Sequence, residues 1–348
     1  MMPEGANRKD RHIEICLDEP IEFRSGDGFA ALRFDHDALP QVNKDDICLE
    51  ATLFGKRLSA PLIIGAMTGG TPRAGEINRR LALAAERTGV GFALGSQRPM
   101  VEDPGRTPSF AVRAHAPGLR LLLGNIGAVQ LNYGVGADEV NALIAAVECD
   151  AFNFHLNPLQ EAIQPEGNTN FAGLLERLKE VTPLLSVPVL LKEVGAGISE
   201  TTAAKIATLP VAGVETAGIG GTSWSAIESH RTSDPLQRSI GQRFAQWGVP
   251  TPESIVACRR AMPDRIVIAS GGMRNGIEAA KALALGADAV AFALPMLKAA
   301  ERSLDDAVQE IQRVIEELRT VMFLTGCPNV PQLRTRVLRS AADLTSLE

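Results

Sequence analysis

Aromatic side chains are scarce in this 348-residue chain: phenylalanine, tyrosine and tryptophan together make up 4% of it, with a single tyrosine. Proteins that bind nucleic acid commonly stack bases on aromatic rings and carry clustered lysine and arginine. Here no run of basic residues stands out, and the formal net charge is -6. We therefore expect neither DNA nor RNA as a partner.

Paired cysteines and long apolar runs are also missing. The five cysteines are scattered and none belongs to a CxxC motif, which argues against a disulfide framework and a zinc cage. Reduced thiols, as in the cytoplasm, are the simpler expectation. The first residues, MMPEGANRKDRH, lack the apolar core of a signal peptide. No stretch reaches the ~18 uncharged apolar residues of a membrane helix, so we expect a cytoplasmic protein without a membrane partner.

What the chain does contain is a repeated alternation of short apolar runs and helical segments. A continuous apolar run bounded by turn residues is typical of a strand buried on both faces of a parallel sheet. The runs span residues 60–67, 91–96, 119–126, 151–157, 187–194, 211–218, 265–272 and 289–297. Eight such units predict an α/β protein with a (β/α)₈ TIM barrel. The alternative is a doubly wound open sheet, but its GxGxxG turn is absent after the first run, which ends in MTGG.

Two segments lie outside the repeating units. Residues 1–59 are predicted to be an N-terminal extension, with room for a small hairpin, that covers an end of the barrel and contributes substrate-binding residues. Residues 60–348 are predicted to be the barrel domain. Residues 219–250 form a long insertion after the sixth strand, and long loops inside compact domains are commonly lids or interface elements.

Polar or glycine-rich residues follow all eight predicted strands, at the end of a barrel where reactive residues lie. The most informative of these ends is SGGMR (270–274), because barrels often bind phosphate with the loops after strands 7 and 8. Gly271 and Gly272 allow a close approach of the backbone, and Arg274 offers a charge-assisted hydrogen bond. FALP (292–295) would supply the second loop. The pattern predicts a large phosphate-bearing ligand across the barrel mouth.

Further strand ends carry groups that suit a polar ring system. Lys192 is either a surface lysine or an inward cation that stabilises anionic character on an electron-rich ring. Ser96 and Asn125 occupy matching positions and are candidates to hydrogen-bond a heterocycle, and Thr222 is a candidate phosphate contact. These features together fit flavin mononucleotide (FMN), with its phosphate at strands 7 and 8.

The stretch FHLNPLQE (154–161) places an imidazole, two amides and a carboxylate side by side. Ordinary turns use Gly, Asn, Asp, Ser and Pro, so this composition predicts a site. Glu161 would repel an anion unless a hard cation joined them, and Mg²⁺ binds through one or two carboxylates plus phosphate oxygens and water. For His155, taken alone, a structural core histidine remains the alternative.

A second group of cations consists of Arg98, Arg8 and Lys9. Alone, Arg8 and Lys9 would be interpreted as a solvated tail. Together with His12 they would close over an anionic substrate such as a diphosphate, whose oxygens match the guanidinium fork of arginine.

The motifs of the chain resemble those of the type 2 isopentenyl-diphosphate isomerases, a family that uses FMN. They are RKDRHIEICL, PLIIGAMTGG, GSQR, HLNPLQEAIQPEGN, LLKEVGAGIS, GGTSW, WGVPT, SGGMRNG and TGCPNVPQLR. The resemblance covers nearly the whole chain. It implies a (β/α)₈ fold, interconversion of isopentenyl and dimethylallyl diphosphates in isoprenoid biosynthesis, reduced FMN, Mg²⁺ and NADPH as reductant. It also implies a homo-tetramer or homo-octamer.

The same resemblance implies roles for individual residues. The catalytic residues would be His155 and Gln160. The substrate-binding residues would be Arg8, Lys9, Ser96, Gln97, Arg98, Asn157 and Gln160. The cofactor-binding residues would be Ala66, Met67, Thr68, Ser96, Asn125, Lys192, Thr222, Gly271, Gly272, Met273, Arg274, Phe292 and Ala293. The metal ligand would be Glu161.

Two positions depart from the family pattern. Arg11 stands where an acidic residue is expected, and Glu215 stands where aspartate is expected. Arg11 is expected to add positive charge beside the diphosphate group. Neither departure removes a residue that is assigned to chemistry.

Two other functions remain open. An FMN oxidoreductase of the same barrel type normally pairs a strand-end histidine with arginine, or uses a loop cysteine. The only comparable motif, SHR (229–231), lies in the insertion, and Cys327 lies beyond the eighth strand. A catalytically silent barrel that senses flavin or prenyl diphosphate is the second alternative. The presence of Gln160, Glu161 and Lys192 argues against it.

Overall fold

The computed structural model describes residues 4–24 and 28–340, the side chains of residues 4–7 excepted. Its strands are β1 (Leu32–Phe34), β2 (Ala51–Leu53), β3 (Lys56–Leu58), β4 (Leu62–Ile64), β5 (Gly91–Ala93), β6 (Leu122–Gly127), β7 (Ala151–Leu156), β8 (Val189–Glu193), β9 (Gly213–Glu215), β10 (Ile266–Ala269), β11 (Ala289–Phe292) and β12 (Leu338–Ser340). Strands β4 to β11 are parallel and close into one barrel, since β11 pairs with β4 through Val290 and Leu62. This closure confirms the (β/α)₈ prediction and excludes the open sheet.

Helices surround the barrel. They are α1 (Glu4–Asp18), α2 (Pro72–Thr88), α3 (Arg98–Glu102), α4 (Ala137–Val147), α5 (Pro158–Ile163), α6 (Leu174–Val181), α7 (Glu200–Ala207), α8 (Trp224–Arg231), α9 (Pro235–Phe244), α10 (Thr251–Ala261), α11 (Gly276–Ala284), α12 (Leu294–Arg302), α13 (Leu304–Leu324) and α14 (Val330–Leu333). Within the described ranges, no helix has both the length and the apolar character that crossing a membrane requires.

Helix α2 illustrates how local sequence sets these boundaries. Thr71 caps its first turn by accepting a hydrogen bond from Ala74 N, and Pro72 occupies the first helical position, where no N–H is needed. The helix ends at Thr88 and is followed by Gly89, whose left-handed backbone (φ 72°) suits glycine. Between these ends, Ile77 and Leu81 are fully buried against the rest of the core.

The N-terminal extension covers both ends of the barrel, whereas the prediction from the sequence was that it covers one end. Strands β2 and β3 form an antiparallel hairpin, and its Leu53 and Leu58 pack into the apolar interior of the barrel with Ile63 and Leu190. Helix α1 lies at the opposite end and contributes Lys9 to the cavities there. The hairpin therefore plugs the N-terminal end of the barrel, and α1 covers the C-terminal end.

The predicted insertion 219–250 contains α8 and α9, and α8 packs against both α1 and α5. Through the contact between α8 and α1, the insertion and the extension meet over the mouth of the barrel, where the chemically important strand ends lie. The extension also pairs with a segment near the end of the chain, since β1 and β12 are antiparallel neighbours.

Candidate active site

Two adjoining cavities open at the C-terminal end of the barrel. The first, here called the glycine-rich cavity, has an open volume of about 950 Å³, part of it continuous with solvent. It is lined by Gly65, Gly195, Gly218, Gly221, Gly271 and Gly272 among others. The second, here called the polar cavity, has an open volume of about 820 Å³ and also opens to solvent. Lys9, His12, Met67, Lys192 and Trp224 line both cavities. The two cavities thus form one site with a shared wall.

In the glycine-rich cavity, backbone packs directly on backbone. A Cβ atom on Gly221 would lie 2.6 Å from Gly272 N, and one on Gly271 would overlap Gly218 O. Gly271 and Gly272 also have positive φ angles of 102° and 81°, which favour glycine. The loops after β9 and β10 can therefore present N–H groups to a ligand without an intervening side chain.

Most of the predicted cofactor residues line this cavity: Ala66, Met67, Thr68, Lys192, Thr222, Gly271, Gly272, Met273, Arg274 and Ala293. The hydroxyl Oγ1 of Thr68 is buried and has no hydrogen-bond partner. An unsatisfied buried hydroxyl is costly, so this atom is available to a bound group. Ser96 and Asn125 line the polar cavity instead.

Lys192 points inward at the junction of the two cavities. Its Nζ donates a hydrogen bond to Glu193 O at 2.7 Å and lies 3.5 Å from Glu215 Oε1. Glu215 also accepts a hydrogen bond from Ser270 Oγ at 2.9 Å. The residue that departs from the family pattern, Glu215, is therefore the counter-ion of the buried lysine.

The carboxylate of Glu193 fixes the loop that follows Lys192. Glu193 Oε2 accepts hydrogen bonds from the backbone N–H groups of Val194, Gly195, Ala196 and Gly197 at 2.5–3.1 Å. Four donors on one oxygen hold the loop against the buried carboxylate. Because Val194 and Gly195 line the glycine-rich cavity, Glu193 shapes its wall.

His155 lies in the polar cavity as a neutral imidazole. Burial, and after it the positive charges of Lys192 and Lys9, lower the pKa of His155 to about 3. Its Nδ1 lies 2.8 Å from Asn125 Oδ1, while Asn125 Nδ2 donates to Leu94 O at 3.0 Å. Nδ1 therefore carries the proton, and Nε2 is left as a hydrogen-bond acceptor.

The stretch after β7 brings Asn157, Gln160 and Glu161 into direct contact. Pro158 begins α5 at a position that needs no N–H, so Gln160 and Glu161 lie in its first turn. Asn157 Nδ2 donates to Gln160 Oε1 and to Glu161 Oε1, both at 3.0 Å. Glu161 Oε2 accepts a hydrogen bond from Asn168 N at 2.5 Å.

Two side chains in this group carry oxygen atoms that are suited to bind a hard cation. Glu161 is buried, and Asn157 Oδ1 is buried without a hydrogen-bond partner. No cluster of three or more His, Cys, Asp or Glu side chains with metal-binding geometry occurs in the part of the chain that the structure describes. A metal here would therefore complete its shell with substrate oxygens and water, which is how Mg²⁺ commonly binds.

Glu228, on α8 in the insertion, is a site residue that sequence reasoning missed. Its side chain is fully buried, with Oε1 accepting from Gln160 Nε2 at 3.3 Å and lying 3.1 Å from His12 Nε2. Arg231 Nε donates to Oε2 at 2.6 Å. Burial raises the pKa of Glu228, but the contacts with His12 and Arg231 outweigh it and lower the pKa to about 2. The carboxylate is thus ionised beside Gln160.

Three predicted cations line the polar cavity: Arg8, Lys9 and Arg98. Loss of water around its ammonium group, and after it the neighbouring Arg8 and Arg98, lower the pKa of Lys9 to about 8. The Nε atom of Arg8 is buried and has no hydrogen-bond partner. This concentration of positive charge favours a polyanionic ligand.

Three residues named from the sequence are not placed where a ligand would meet their side chains. Gln97 is buried, donating to Leu143 O at 3.3 Å and accepting from Asn125 N at 2.8 Å. Phe292 is buried in the core outside both cavities. The expectation for Arg11 is wrong: its side chain is 51% exposed and pairs with Glu14 at 3.0 Å, outside both cavities.

Comparison with known proteins agrees with this architecture. Residues 155–340 match the family model described as FMN-dependent dehydrogenase. Mandelate oxidase with bound (S)-2-phenylpropionate has a TM-score of 0.65 at 20% identity, covering 90% of this chain and 88% of that one. A second mandelate oxidase complex, with 3,3-difluoro-2-hydroxy-3-phenylpropionic acid, has a TM-score of 0.65 at 18% identity and covers 97% of each chain. The protein is thus a barrel of the FMN-dependent dehydrogenase class.

Sequence relatives define the family within this class. The isopentenyl-diphosphate delta-isomerase of Nostoc sp. is 47% identical over 330 residues, 94% of each chain. The enzyme of that name from Rickettsia bellii is 46% identical over 332 residues, 95% of this chain and 97% of that one. The one from Stutzerimonas stutzeri is 45% identical over 339 residues, 97% of this chain and 98% of that one. The chain belongs to the isopentenyl-diphosphate delta-isomerase family.

Proposed function

We propose that this protein interconverts isopentenyl diphosphate and dimethylallyl diphosphate, using reduced FMN and Mg²⁺, in isoprenoid biosynthesis. The observation that carries the proposal is the position of Lys192 between two cavities of different character. One cavity is walled by glycine backbone and suits a phosphate-bearing ring. The other combines cations, a carboxylate and amides, and suits a diphosphate.

The residues of the glycine-rich cavity fit FMN. Close backbone packing at Gly221 and Gly271 leaves no side chain between the loop N–H groups and the cavity, and Thr68 Oγ1 lacks a partner. In the proposal these residues hold the phosphate end and the ring, and Lys192 faces the ring. Bound reduced FMN would supply an electron-rich ring and an exchangeable proton to a reaction without net redox change.

The residues of the polar cavity fit the rest of the reaction. Arg8, Lys9 and Arg98 bind the diphosphate, and Glu161 with Asn157 Oδ1 holds Mg²⁺ against it. His155 accepts a hydrogen bond through Nε2 and fixes Asn125. These contacts anchor the charged end of the substrate and leave its double bond facing the shared wall.

Gln160 positions the alkene in this proposal. An amide has no useful pKa near neutrality, so Gln160 is a poor acid or base by itself. Its Nε2 is bound by the ionised Glu228, which fixes the orientation of the amide. Protonation of the alkene creates a tertiary carbocation. The negative charge of Glu228 and the aromatic ring of Trp224, which lines both cavities, favour positive charge nearby.

The remaining parts of the proposal concern the cell. NADPH is proposed as the reductant, the cytoplasm as the location and a homo-tetramer or homo-octamer as the assembly. Five free cysteines are consistent with a reducing compartment.

An anaerobic assay with FMN, Mg²⁺, NADPH and isopentenyl diphosphate tests the proposal. Dimethylallyl diphosphate and NADPH are followed together. Product far in excess of the NADPH oxidised, with no activity before reduction, supports the isomerase. One NADPH or flavin consumed per product would favour an oxidoreductase. Binding of both ligands without turnover would favour a sensor.

A further inference from the structure

A short segment of the N-terminal extension, residues 21–23, lies as a strap along the loop that follows β9. Ser223 N donates to Ile21 O at 2.8 Å and Phe23 N donates to Gly221 O at 3.0 Å, so Glu22 pairs with Thr222 in antiparallel fashion. Ile21 and Phe23 are buried on either side. The strap is thus anchored, and Glu22 is held in register beside the wall of the glycine-rich cavity.

The side chain of Glu22 binds Arg274, which lines that cavity. Arg274 Nε donates to Glu22 Oε1 at 3.0 Å, and Nη2 of the same guanidinium also contacts Glu22. The third guanidinium nitrogen donates to Met273 O at 2.9 Å. A Cβ atom on Gly221 would lie 3.6 Å from Arg274 Nη2. The guanidinium therefore lies between the strap carboxylate and the glycine backbone that is proposed to cradle the phosphate.

We propose that Glu22 sets the affinity for FMN by opposing its phosphate at Arg274. Without cofactor, Glu22 neutralises the guanidinium and holds it in place. With cofactor, a phosphate at the glycine loops shares the same guanidinium and meets the negative charge of Glu22. The carboxylate of Glu22 thus stabilises the protein without cofactor and weakens the binding of FMN. The inference rests on the proposed use of FMN.

The sizes of these effects are modest because both side chains are partly exposed, 43% for Glu22 and 31% for Arg274. Two like charges several ångströms apart near the surface repel weakly in water and are screened by salt. We expect Glu22→Gln, which keeps a hydrogen-bond acceptor for Arg274 but removes the charge, to tighten FMN binding about threefold at low ionic strength.

The experiment compares FMN with riboflavin, which lacks only the phosphate. Flavin-free wild type and Glu22→Gln are titrated with each by flavin fluorescence, at low and at high salt. The expected result is a threefold tighter Kd for FMN at low salt, a smaller gain at high salt, and an unchanged Kd for riboflavin. The melting temperature of the flavin-free variant is expected to fall slightly.

Two further variants isolate the cause. Glu19→Gln makes the same charge change on the approach to the strap, where Glu19 faces His230 at 3.7 Å, and is expected to leave FMN affinity nearly unchanged. Arg274→Gln, which removes the guanidinium that the phosphate is proposed to share, is expected to weaken FMN binding and to leave the Kd for riboflavin nearly unchanged.

Three results would overturn the inference. They are weaker FMN binding by Glu22→Gln, an equal gain for riboflavin, and an unchanged FMN affinity. A wild-type protein that binds neither flavin would instead refute the proposed function, on which the inference depends. These outcomes are separable because the wild-type titration is read independently of the variants.

Discussion

At the scale of single residues, the charge of Lys9 depends on pH around pH 8, because the pKa of its ammonium group is lowered to about 8. A lysine is positive below its pKa, so lowering that pKa to about 8 means that the cation is lost as pH rises through about 8. We expect pyrophosphate, a probe for the polar cavity, to bind the wild type progressively more weakly from about pH 7 to about pH 9. The decline should be smaller in Lys9→Arg, whose guanidinium stays charged.

Calorimetric titration of both proteins with pyrophosphate and Mg²⁺ across this range is the measurement. The ionisation of pyrophosphate itself is common to the two series and cancels in their ratio. Parallel pH profiles would show that Lys9 is not the titrating group.

Glu228 is the second residue whose role is set by its surroundings. Because its ionised carboxylate orients Gln160 Nε2, Glu228→Gln keeps the shape but removes the charge. We expect turnover to fall about a hundredfold, as for other preorganised electrostatic contacts, while the Kd for FMN changes less than about twofold. Steady-state kinetics and flavin titration measure the two effects.

The matched control for Glu228 is Glu166, which lies at the far side of the same network. Glu166 binds Arg231 at 2.6 Å and Arg8 at 3.3 Å but is 43% exposed. Glu166→Gln is expected to reduce turnover far less than Glu228→Gln. Similar losses in the two variants would mean that the network, rather than the contact with Gln160, matters.

At the scale of elements, the sequence predicted where strands end but not which side chains face the cavity. Ser96 lines the polar cavity and Gln97, next in the chain, is buried away from it. Ala291 and Ala293 likewise line the glycine-rich cavity while Phe292 between them faces the core. In β11 the cause is the extended backbone, whose successive side chains point to opposite sides. At Gln97 the chain has already turned toward α3 (φ -82°, ψ 8°). A contiguous motif therefore includes residues that do not face the cavity.

The position of Arg11 was not predicted because residues that are adjacent in a helix face different directions. The contact of Glu228 with Gln160 was not predicted because it depends on the tertiary fold. Lys9, His12, Ile13 and Cys16 share the face of α1 that lines the glycine-rich cavity, and Arg11 lies on another face. Glu228 contacts Gln160 only because the insertion folds back over α5. No local pattern indicates such a long-range contact, whereas the strand rhythm that predicts the barrel is local.

The β2–β3 hairpin is an element whose contribution is to stability. Leu58 is fully buried and packs into the barrel interior, so Leu58→Ala should lower the free energy of unfolding by about 2–5 kcal/mol. Arg57→Ala, at an exposed position of the same strand, is the control and should change it by less than about 0.5 kcal/mol.

Denaturant unfolding of the three proteins gives these values, and flavin titration tests the separation of the two barrel ends. Because the plug lies at the end opposite the cavities, the folded Leu58→Ala variant should bind FMN with nearly wild-type affinity. A large loss of affinity would mean that the hairpin transmits strain through the barrel.

At the scale of the whole molecule, the extension binds the barrel at both ends and β1 pairs with β12. The two cavities are therefore enclosed by elements distant in sequence, and a ligand that fills them binds the folded chain only. Such a ligand stabilises the fold by an amount set by its concentration relative to Kd, about 2.7 kcal/mol at a hundredfold excess.

We accordingly expect FMN at a hundredfold excess over its Kd to raise the melting temperature of the flavin-free protein by roughly 4 °C, at about 1–2 °C per kcal/mol for a chain of 348 residues. Gly221→Ala should abolish most of this rise, because its Cβ would lie 2.6 Å from Gly272 N, in the loop that is proposed to bind phosphate. Differential scanning fluorimetry with and without FMN measures both. An equal rise in the variant would place the flavin elsewhere. A rise with FMN but not with riboflavin in the wild type would assign most of the stabilisation to the phosphate contacts at the glycine loops.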